Sequence, residues 1–506
     1  MKLLSFDIGA GSGRAVLSDF DGSFVNSKEI YRFDNKPFYL GDTLYWNFLD
    51  IMENVGIGLR KAASDAGTNI HSVGVDTWGV DFGMLDRYGD LISNPVSYRD
   101  KRTSKIGKHI YEIIPKDELF KLNSTQVFNF CTLFQLYYLY KFRKETAKVI
   151  KTILLMPNLI NYFLTGEKFV DPSILSASQF YDVRSKSYRK EILRKLGIPD
   201  QILPSIAEAG TLIRKVKKEF ATFANLPADS SKISVVLTCS HDSSSMVTGI
   251  PLDDAELNSC YINSGTWSVI GIENKNPIVN DSIIKSDFTN WRTFRENNMF
   301  LKAFNGFYFL QECKKIWELE DGKEISHDEF YKDIKIPKQK TALIDLSSTY
   351  LENDEYNMPE RIINYFKLTN QKIERLRSNI IISLLQSMVI ESKLSLDELE
   401  KITGKNFDKI YMVGGGSKNE FFCQWIADCL GREIHTGYHE STINGNIISQ
   451  LFALGEIKSL NEGRKIIRDS NKEKIYFPDK LSSIDWERLI NYYLNLKTGT
   501  ISKNQN

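Results

Sequence analysis

Between residues 3 and 19, an apolar run, a glycine-rich break and a second apolar run follow one another. The first run leads to Asp7, three glycines lie between 9 and 13, and the apolar pattern resumes at 15–17. Because glycine adopts backbone conformations that other residues avoid, this pattern predicts a strand, a tight turn and a strand. A dinucleotide fold would need G-x-G-x-x-G at the start of a helix, whereas the spacing here is G-x-G-x-G. Backbone N–H groups in such a turn can still bind phosphate, and Asp7 is placed to hold a metal ion through water.

The same pattern recurs at 260–273, where Gly265 takes the place of Gly9. The recurrence suggests two related domains, each with a phosphate-binding loop. A chain of 506 residues also suits two domains better than a single core. We therefore expect a first domain at 1–250, a second at 251–490 and a polar tail at 491–506.

Apolar residues at helical spacing predict helices, and short β-branched runs predict buried strands. Two predicted strands lead into motifs: 233–238 precedes His241 and Asp242, and 410–413 precedes the glycine run that begins at Gly414. A strand, a glycine turn and a helix in succession place an anion or nucleotide near the helix N-terminus. The predicted helices are 46–66, most of 105–164, a helix starting at 243, 305–317, 377–393 and 421–430.

Composition limits the function classes. The chain has 65 Lys and Arg against 64 Asp and Glu, so its charge does not favour nucleic acid or an anionic membrane as a partner. The six cysteines are dispersed without C-x-x-C spacing, which is typical of reduced, buried thiols. The N-terminus has no signal-peptide core, and the longest apolar region, 127–142, is too short to span a bilayer. We expect a cytoplasmic protein.

The segment 240–245, SHDSSS, lies where a buried strand gives way to a helix, a usual place to present a side chain to a cleft. Phosphoryl transfer needs positioning, charge stabilisation and a group that accepts the proton of the attacking hydroxyl. The chain contains neither a P-loop motif nor the His-Arg-Asp loop of protein kinases. Asp242 is the candidate proton acceptor, and the alternative reading is that it only caps the helix that follows it.

The segment 76–81 combines carboxylates, a hydroxyl, an indole and glycine within six residues. Sugars are bound by such a mixture, because carboxylates pair with vicinal hydroxyls while an aromatic ring covers C–H groups. We therefore expect a sugar-binding wall that includes Trp78 and Asp81. Core packing would also explain Trp78, and a turn would explain Asp81.

Together these motifs resemble the FGGY carbohydrate kinases and, within them, the rhamnulokinase branch. The resemblance runs from residue 3 to about 456. It implies an α/β fold of two actin-like ATPase (ribonuclease H-like) domains flanking a catalytic cleft. It also implies ATP- and Mg²⁺-dependent phosphorylation of a ketose, for rhamnulose at its C-1 hydroxyl. The motifs are DIGAGSGR at 7–14, DTWGVDF at 76–82, PVSYRDKRT at 95–103, SHDSSS at 240–245, SGTWS at 264–268 and GGGSKN at 414–419.

The resemblance implies a role for each matching residue. Asp242 matches the catalytic base, and Asp7 is our candidate for the metal. For any single glycine, turn geometry is an alternative reading, and Arg14 could be a surface ion-pair residue. The expected substrate contacts are Gly79, Trp78, Asp81, His241 and Ser243. The expected ATP contacts are Ala10, Gly11, Ser12, Gly13 and Arg14 in the first phosphate loop, Thr266 in the second, and Gln311, Gly414, Gly415 and Gly416 around the nucleotide.

Two departures concern the sugar. Rhamnulokinases generally carry T-N-E-G-G where this chain reads T-N-W-R-T at 289–293, and Ala303 occupies the position of a sugar-binding Asn. We expect Asn305 or a residue near Asn290 to compensate. L-fuculose or another ketose is therefore an alternative substrate, and a sugar or nucleotide sensor without catalysis is an alternative function. The expected partners are a ketose and ATP, and the chain could be a monomer or a homodimer.

Overall fold

The computed structural model describes residues 1–66, 69–226, 232–252, 258–332, 334, 342–352, 356–479 and 482–499. The chain forms two compact units. The first comprises Met1–Ala255, Glu273–Phe300 and Glu440–Lys472, and the second comprises Glu256–Ile272, Leu301–His439 and Glu473–Asn506. By this division, two stretches from the second half of the sequence belong to the first unit, whereas the expected division was contiguous.

The strands are β1 (Lys2–Ile8), β2 (Ser12–Phe20), β3 (Val25–Asp34), β4 (Phe38–Leu40), β5 (Thr43–Tyr45), β6 (Ile70–Thr77), β7 (Phe82–Leu85), β8 (Thr152–Leu155), β9 (Phe169–Val170), β10 (Tyr181–Asp182), β11 (Ser187–Tyr188), β12 (Ser205–Ile206), β13 (Thr211–Lys215), β14 (Ser234–Leu237), β15 (Ser259–Ser264), β16 (Trp267–Asn274), β17 (Thr289–Arg292), β18 (Asn298–Asn305), β19 (Lys409–Val413), β20 (Glu433–Thr436) and β21 (Lys474–Tyr476).

The α-helices are α1 (Phe48–Ala66), α2 (Ile106–Ile113), α3 (Lys116–Asn123), α4 (Thr132–Phe142), α5 (Lys144–Val149), α6 (Met156–Thr165), α7 (Pro172–Leu175), α8 (Lys190–Lys195), α9 (Lys218–Phe223), α10 (Asp242–Gly249), α11 (Asp281–Ile284), α12 (Tyr308–Asp321), α13 (His327–Tyr331), α14 (Met358–Leu368), α15 (Arg377–Thr403), α16 (Glu420–Leu430), α17 (Ser441–Ala453), α18 (Leu460–Ser470) and α19 (Trp486–Lys497). Short 3-10 helices lie at Lys101–Thr103, Asp200–Ile202, Thr349–Glu352 and Gly415–Lys418.

The first unit is built around a six-stranded sheet in the order β13-β14-β6-β1-β2-β3. β1 pairs antiparallel with β2, which confirms the predicted hairpin, and parallel with β6. β6 in turn pairs parallel with β14. The carboxyl ends of β1, β6 and β14 therefore lie at one edge of the sheet, where ligands commonly bind in α/β proteins.

Helices cover both faces of the central strands. α1 packs against β1, β2, β3 and β6, and α17 packs against β1, β6 and β14. One face of β1 carries the fully buried Leu4, Phe6 and Ile8, whereas the opposite face carries Ser5, which hydrogen-bonds to Asn446 of α17 at 3.0 Å. α17 also crosses α10 closely. A Cβ at Gly445 would lie 1.8 Å from the carbonyl oxygen of Ser245, so this crossing requires glycine.

The second unit repeats the plan of the first. β15 and β16 form an antiparallel hairpin, and β15 pairs parallel with β19. β19 then pairs parallel with β20, and β20 pairs antiparallel with β21. The repeat of the hairpin motif in the sequence thus corresponds to a repeated strand arrangement.

Most predicted elements are present, with two differences. The region 105–164 contains the strand β8 as well as helices, and β8 pairs antiparallel with β7. The predicted helix at 377–393 continues to Thr403 as α15. Its length and composition would allow α15 to cross a membrane, but 83% of its most apolar window is buried inside the protein. Burial in the second unit accounts for its apolar composition.

Candidate functional site

Three strand ends of the first unit bring three carboxylates together. Asp7 on β1 lies directly beside Asp76 on β6 in the parallel register. Thr77, the last residue of β6, donates its backbone N–H to the carbonyl oxygen of Ser240 at 2.9 Å. This bond aligns the segment after β14 with β6, so that Asp242 interacts electrostatically with both Asp7 and Asp76.

The surroundings of these carboxylates disfavour their ionised form. Burial raises the pKa of Asp76 well above its usual value, and the charges of Asp7 and Asp242 raise it further. Burial also raises the pKa of Asp7, although Arg14 opposes this rise. One oxygen of Asp76, Oδ1, is buried and has no hydrogen-bond partner in the described part of the chain, while Oδ2 accepts a bond from Asn446 Nδ2 at 2.6 Å.

An unpartnered buried carboxylate oxygen in an acidic cluster fits a hard cation such as Mg²⁺, which prefers oxygen ligands and keeps several waters. Within the described residues, no three His, Cys, Asp or Glu side chains lie close enough to bind a metal directly. The site therefore fits a hydrated ion better than a protein cage, in keeping with the prediction for Asp7.

Arg14 is paired with carboxylates in this structure. Its Nε and Nη2 donate to Asp7 Oδ2 at 3.0 and 2.9 Å, and its Nη1 donates to Glu440 Oε2 at 2.5 Å. The side chain is largely buried, with 18% exposed. Arg14 is thus an ion-pair residue, as the alternative reading had it, but a largely buried one, and a phosphate contact stays a prediction.

The first phosphate loop is a tight turn. The backbone N–H of Gly9 donates to the carbonyl oxygen of Ser12 at 2.9 Å. Asn35 supports the turn from outside, since its Nδ2 donates to the carbonyl oxygen of Gly9 at 2.7 Å. Gly13 is required sterically because a Cβ there would lie 2.2 Å from the Phe33 ring. The structure thus places residues 10 and 11 in the turn and residues 12–14 at the start of β2, where Arg14 pairs with Asp7 in register, and Asn35 is a supporting residue that the motif did not reveal.

Asp242 is the first residue of α10, and His241 is the N-cap. The alternative reading of Asp242 as the cap is therefore wrong in position, although Asp242 Oδ1 does accept the backbone N–H of Ser243 at 2.5 Å. His241 Nδ1 lies 2.8 Å from the same oxygen. The same Nδ1 accepts the backbone N–H of Ser243 at 3.2 Å, as the side chain of an N-cap residue does, so we assign a ring proton to Nε2.

His241 is packed between a glycine and an aromatic ring. A Cβ at Gly79 would lie 2.6 Å from His241 Nε2, so only glycine leaves room at this nitrogen. On the other side the half-buried Trp291 lies with its ring centroid 4.9 Å from that of His241. Trp291 belongs to the altered run at 289–293, and no local pattern predicted that it lies beside His241.

The other two residues of the predicted sugar wall contact each other. Asp81 is 1% exposed, and its Oδ2 accepts bonds from Trp46 Nε1 at 2.6 Å and Trp78 Nε1 at 2.9 Å. Gln135 Nε2 donates to Oδ1 at 2.8 Å. Burial raises the pKa of Asp81, and these hydrogen bonds oppose the rise. In this arrangement Asp81 orients the two indoles, and a direct sugar contact by Trp78 or Asp81 stays a prediction.

The predicted compensating asparagines are occupied. Asn290 is fully buried, and its Nδ2 donates to the carbonyl oxygens of Ser124 and Ile278. Asn305, in the second unit, donates its Nδ2 to the carbonyl oxygen of Leu346 at 2.7 Å. Neither side chain has its amide free for a sugar as it lies here.

The predicted nucleotide residues of the second unit lie together. The exposed side chains of Thr266 and Gln311 are hydrogen-bonded at 3.2 Å. Phe307 lies between Thr266 and the glycine run. Its backbone N–H donates to the carbonyl oxygen of Gly265 at 3.0 Å. Its ring packs on Gly416, where a Cβ would lie 2.5 Å from the ring. Gly414 has φ of +79° and would place a Cβ 2.4 Å from Asn263 Oδ1. Among the described residues, no atom lies within 4 Å of a Cβ built at Gly415, so this part of the glycine run is accessible.

Comparison with known proteins identifies the family. Residues 2–249 match the N-terminal domain of the FGGY family of carbohydrate kinases, and residues 260–454 match its C-terminal domain. The chain belongs to this family. Membership confirms the predicted enzyme class, an ATP-dependent sugar phosphotransferase, because the kinases of this family use ATP as the phosphoryl donor.

Relatives match nearly the whole chain. The rhamnulokinase of Oceanobacillus iheyensis is 31% identical over 92% of this chain and 96% of its own length. The rhamnulokinase of Bacillus subtilis is 29% identical over 99% of this chain and 100% of its own length. Among solved structures, the gluconate kinase from Lactobacillus acidophilus has a TM-score of 0.80 at 15% identity, covering 99% of this chain and 98% of that one. The predicted two-domain α/β fold is confirmed.

Proposed function

We propose that this protein transfers the γ-phosphoryl group of ATP to a 6-deoxyketose, with L-rhamnulose converted to L-rhamnulose 1-phosphate as the leading reaction. The substrate follows from the rhamnulokinases that resemble nearly the whole chain. The observation that carries the chemistry is the position of Asp242 at the start of α10, beside Asp7 and Asp76 at one edge of the sheet.

Asp242 accepts the proton of the attacking hydroxyl. Its side chain is 34% exposed, so a substrate can reach it, and the backbone N–H of Ser243 holds Oδ1 while Oδ2 faces the substrate. His241 Nε2 carries a ring proton in the space that Gly79 leaves open. That nitrogen can donate a hydrogen bond to a sugar hydroxyl and orient the neighbouring hydroxyl towards Asp242. General-base catalysis of this kind contributes about 10²–10⁴-fold to rate.

The phosphates are bound by backbone groups. The N–H groups of residues 10–13 form the first phosphate loop, and Thr266 belongs to the second. Gln311 and the glycines at 414–416 bind the nucleotide. Mg²⁺ bound with ATP supplies charge neutralisation of the transferring phosphoryl group, and Asp7 and Asp76 would hold it through its water ligands. Arg14 keeps Asp7 in place and partly neutralised.

Trp291 bears on the choice of sugar. It adds an aromatic surface beside His241 where related rhamnulokinases generally carry a glutamate. An aromatic face suits the methyl group and C–H groups of a deoxysugar better than hydroxyl groups. L-fuculose, another 6-deoxyketose, offers the same methyl group and is the second candidate substrate. We also propose a cytoplasmic location, Mg²⁺ dependence and a monomer or homodimer without nucleic-acid or membrane partners.

The test is a coupled assay of ADP release with ATP, Mg²⁺ and a panel of ketoses that includes L-rhamnulose, L-fuculose, L-ribulose, D-xylulose and D-fructose. The proposal expects the highest kcat/KM with L-rhamnulose and little turnover with ketoses that carry a 6-hydroxyl group. The Asp242→Asn variant is the matched control for contaminating kinases. If no ketose stimulates ADP release while calorimetry still detects ATP binding, the protein is a sensor and the proposal fails.

A further inference from the structure

We infer that Asp171 is the positioning residue of the loop 238–242, which we call the catalytic loop. Asp171 is fully buried and precedes the short helix α7, far in sequence from the loop. The inference explains what holds Asp242 in its position. Its tests by kcat rest on the proposed function, whereas its test by crystal structure does not.

The Asp171 carboxylate accepts four hydrogen bonds from two serines. As the N-cap of α7 it accepts the backbone N–H of Ser173 at 3.0 Å and also the Ser173 hydroxyl. From the catalytic loop it accepts the backbone N–H of Ser240 at 3.4 Å and the Ser240 hydroxyl. One carboxylate thus joins the start of α7 to the residue two positions before Asp242.

A second bond reaches the next residue of the loop. The Ser173 hydroxyl oxygen accepts the backbone N–H of His241 at 3.2 Å while its proton goes to Asp171. Chained hydrogen bonds of this kind strengthen one another in a buried environment. On its other side the loop is held by β6, since Thr77 N–H donates to the carbonyl oxygen of Ser240 at 2.9 Å. The backbone before Asp242 is therefore fixed from two directions.

The arrangement calls for a carboxylate. Four donors converge on the Asp171 side chain, and an ionised carboxylate offers acceptor sites on both oxygens, whereas asparagine offers them on one. Asp171 has no ion pair among the described residues, and burial raises its pKa. A buried, uncompensated carboxylate is costly to stability. Within the described residues, its hydrogen-bond donors all belong to α7 and the catalytic loop. The effect of this costly carboxylate is therefore to hold these two segments together.

Four variants test the inference. Asp171→Ala removes the anchor, Asp171→Asn keeps an oxygen in place, and Ser240→Ala removes the hydroxyl bond from the loop while leaving the α7 cap and the backbone bonds intact. Asp182→Ala is the matched control, because Asp182 is an equally buried carboxylate whose partners are Arg184, Ser185 and Arg189 rather than the loop. All variants are compared below their thermal midpoints, where each is folded.

A small displacement of a catalytic group can cost on the order of 10²-fold in rate. We expect kcat to fall at least ~10-fold in Asp171→Ala and by a smaller factor in Ser240→Ala, with the KM for ATP unchanged. Asp171→Asn should recover much of this loss, and Asp182→Ala should lower the thermal midpoint without changing kcat. In the Asp242→Asn background, Asp171→Ala should reduce the residual rate no further, because the anchor acts through Asp242.

A readout without catalysis separates this inference from the proposed function. In crystal structures, residues 240–242 should shift in Asp171→Ala and keep their position in Asp171→Asn. An unshifted loop in Asp171→Ala, or equal losses of kcat in Asp171→Ala and Asp182→Ala, would overturn the inference. If the wild type phosphorylates no ketose, the proposed function fails, while the loop position still decides the role of Asp171.

Discussion

Replacing Asp242 with asparagine tests the proposed base with little change of shape. The asparagine oxygen can still accept the backbone N–H of Ser243, which lies 2.5 Å from Asp242 Oδ1. His241 remains the N-cap of α10, so the helix start does not depend on the substituted side chain. The variant therefore loses the ability to accept a proton and keeps most of the local hydrogen bonding.

The expected magnitudes for this variant differ sharply between activity and stability. Loss of a general base should lower kcat by at least ~10², which corresponds to about 2.7 kcal/mol of transition-state stabilisation. The charge that lies 2.8 Å from His241 Nδ1 is lost, but Asp242 is partly exposed, so this costs about 1 kcal/mol or less. Removing the charge also lowers the pKa values of Asp7 and Asp76, which Asp242 helps to raise. This relief offsets part of the loss.

The assay measures kcat, the KM values of ATP and ketose, and the thermal midpoint of the Asp242→Asn variant. We expect a kcat at least ~10²-fold lower, near-normal KM values because the lost interaction belongs to the transition state, and a midpoint within about 4 °C of wild type. A kcat within about threefold of wild type would refute the role of Asp242 as the base.

Three further predictions follow from particular contacts. Gly79→Ala places a Cβ 2.6 Å from His241 Nε2, so the imidazole ring must move. In steady-state assays, kcat/KM for the ketose should then fall at least ~10-fold, with the KM for ATP unchanged. An unaltered kcat/KM contradicts the placement of His241. Asp76 has a raised pKa in the folded state, so its contribution to the free energy of unfolding falls as pH rises through that pKa. In Mg²⁺-free melts the midpoint of Asp76→Asn relative to wild type should therefore increase from about pH 4 upward, and a constant difference excludes this titration. Trp291→Ala should raise the KM for a 6-deoxyketose more than that for its 6-hydroxy analogue, and equal changes argue against an aromatic sugar wall.

Local sequence predicted much of the candidate site. The spacing of glycines around Asp7 predicted the hairpin of β1 and β2, because tight turns need glycine whatever surrounds them. The β-branched run before Asp242 predicted β14 and the helix after it, since a short apolar run and a polar helix start are local features. The resemblance to FGGY kinases, carried by these same motifs, gave the family that the comparisons then confirmed.

Tertiary structure decided which of these residues act on one another. Arg14 pairs with Glu440, which is 426 positions away, and Asp76 binds Asn446 across 370 positions. Nothing local predicts such pairs, because they depend on how α17 packs on the parallel strands β1 and β6. The same packing makes Asp7 and Asp76 neighbours, and their burial, which raises both pKa values, exists only in the folded chain. The sequence by itself therefore determined the turns, the strands and the family, since these depend on residues close in the chain. The charge and the geometry around Asp242 were decided by contacts between segments that only the fold brings together.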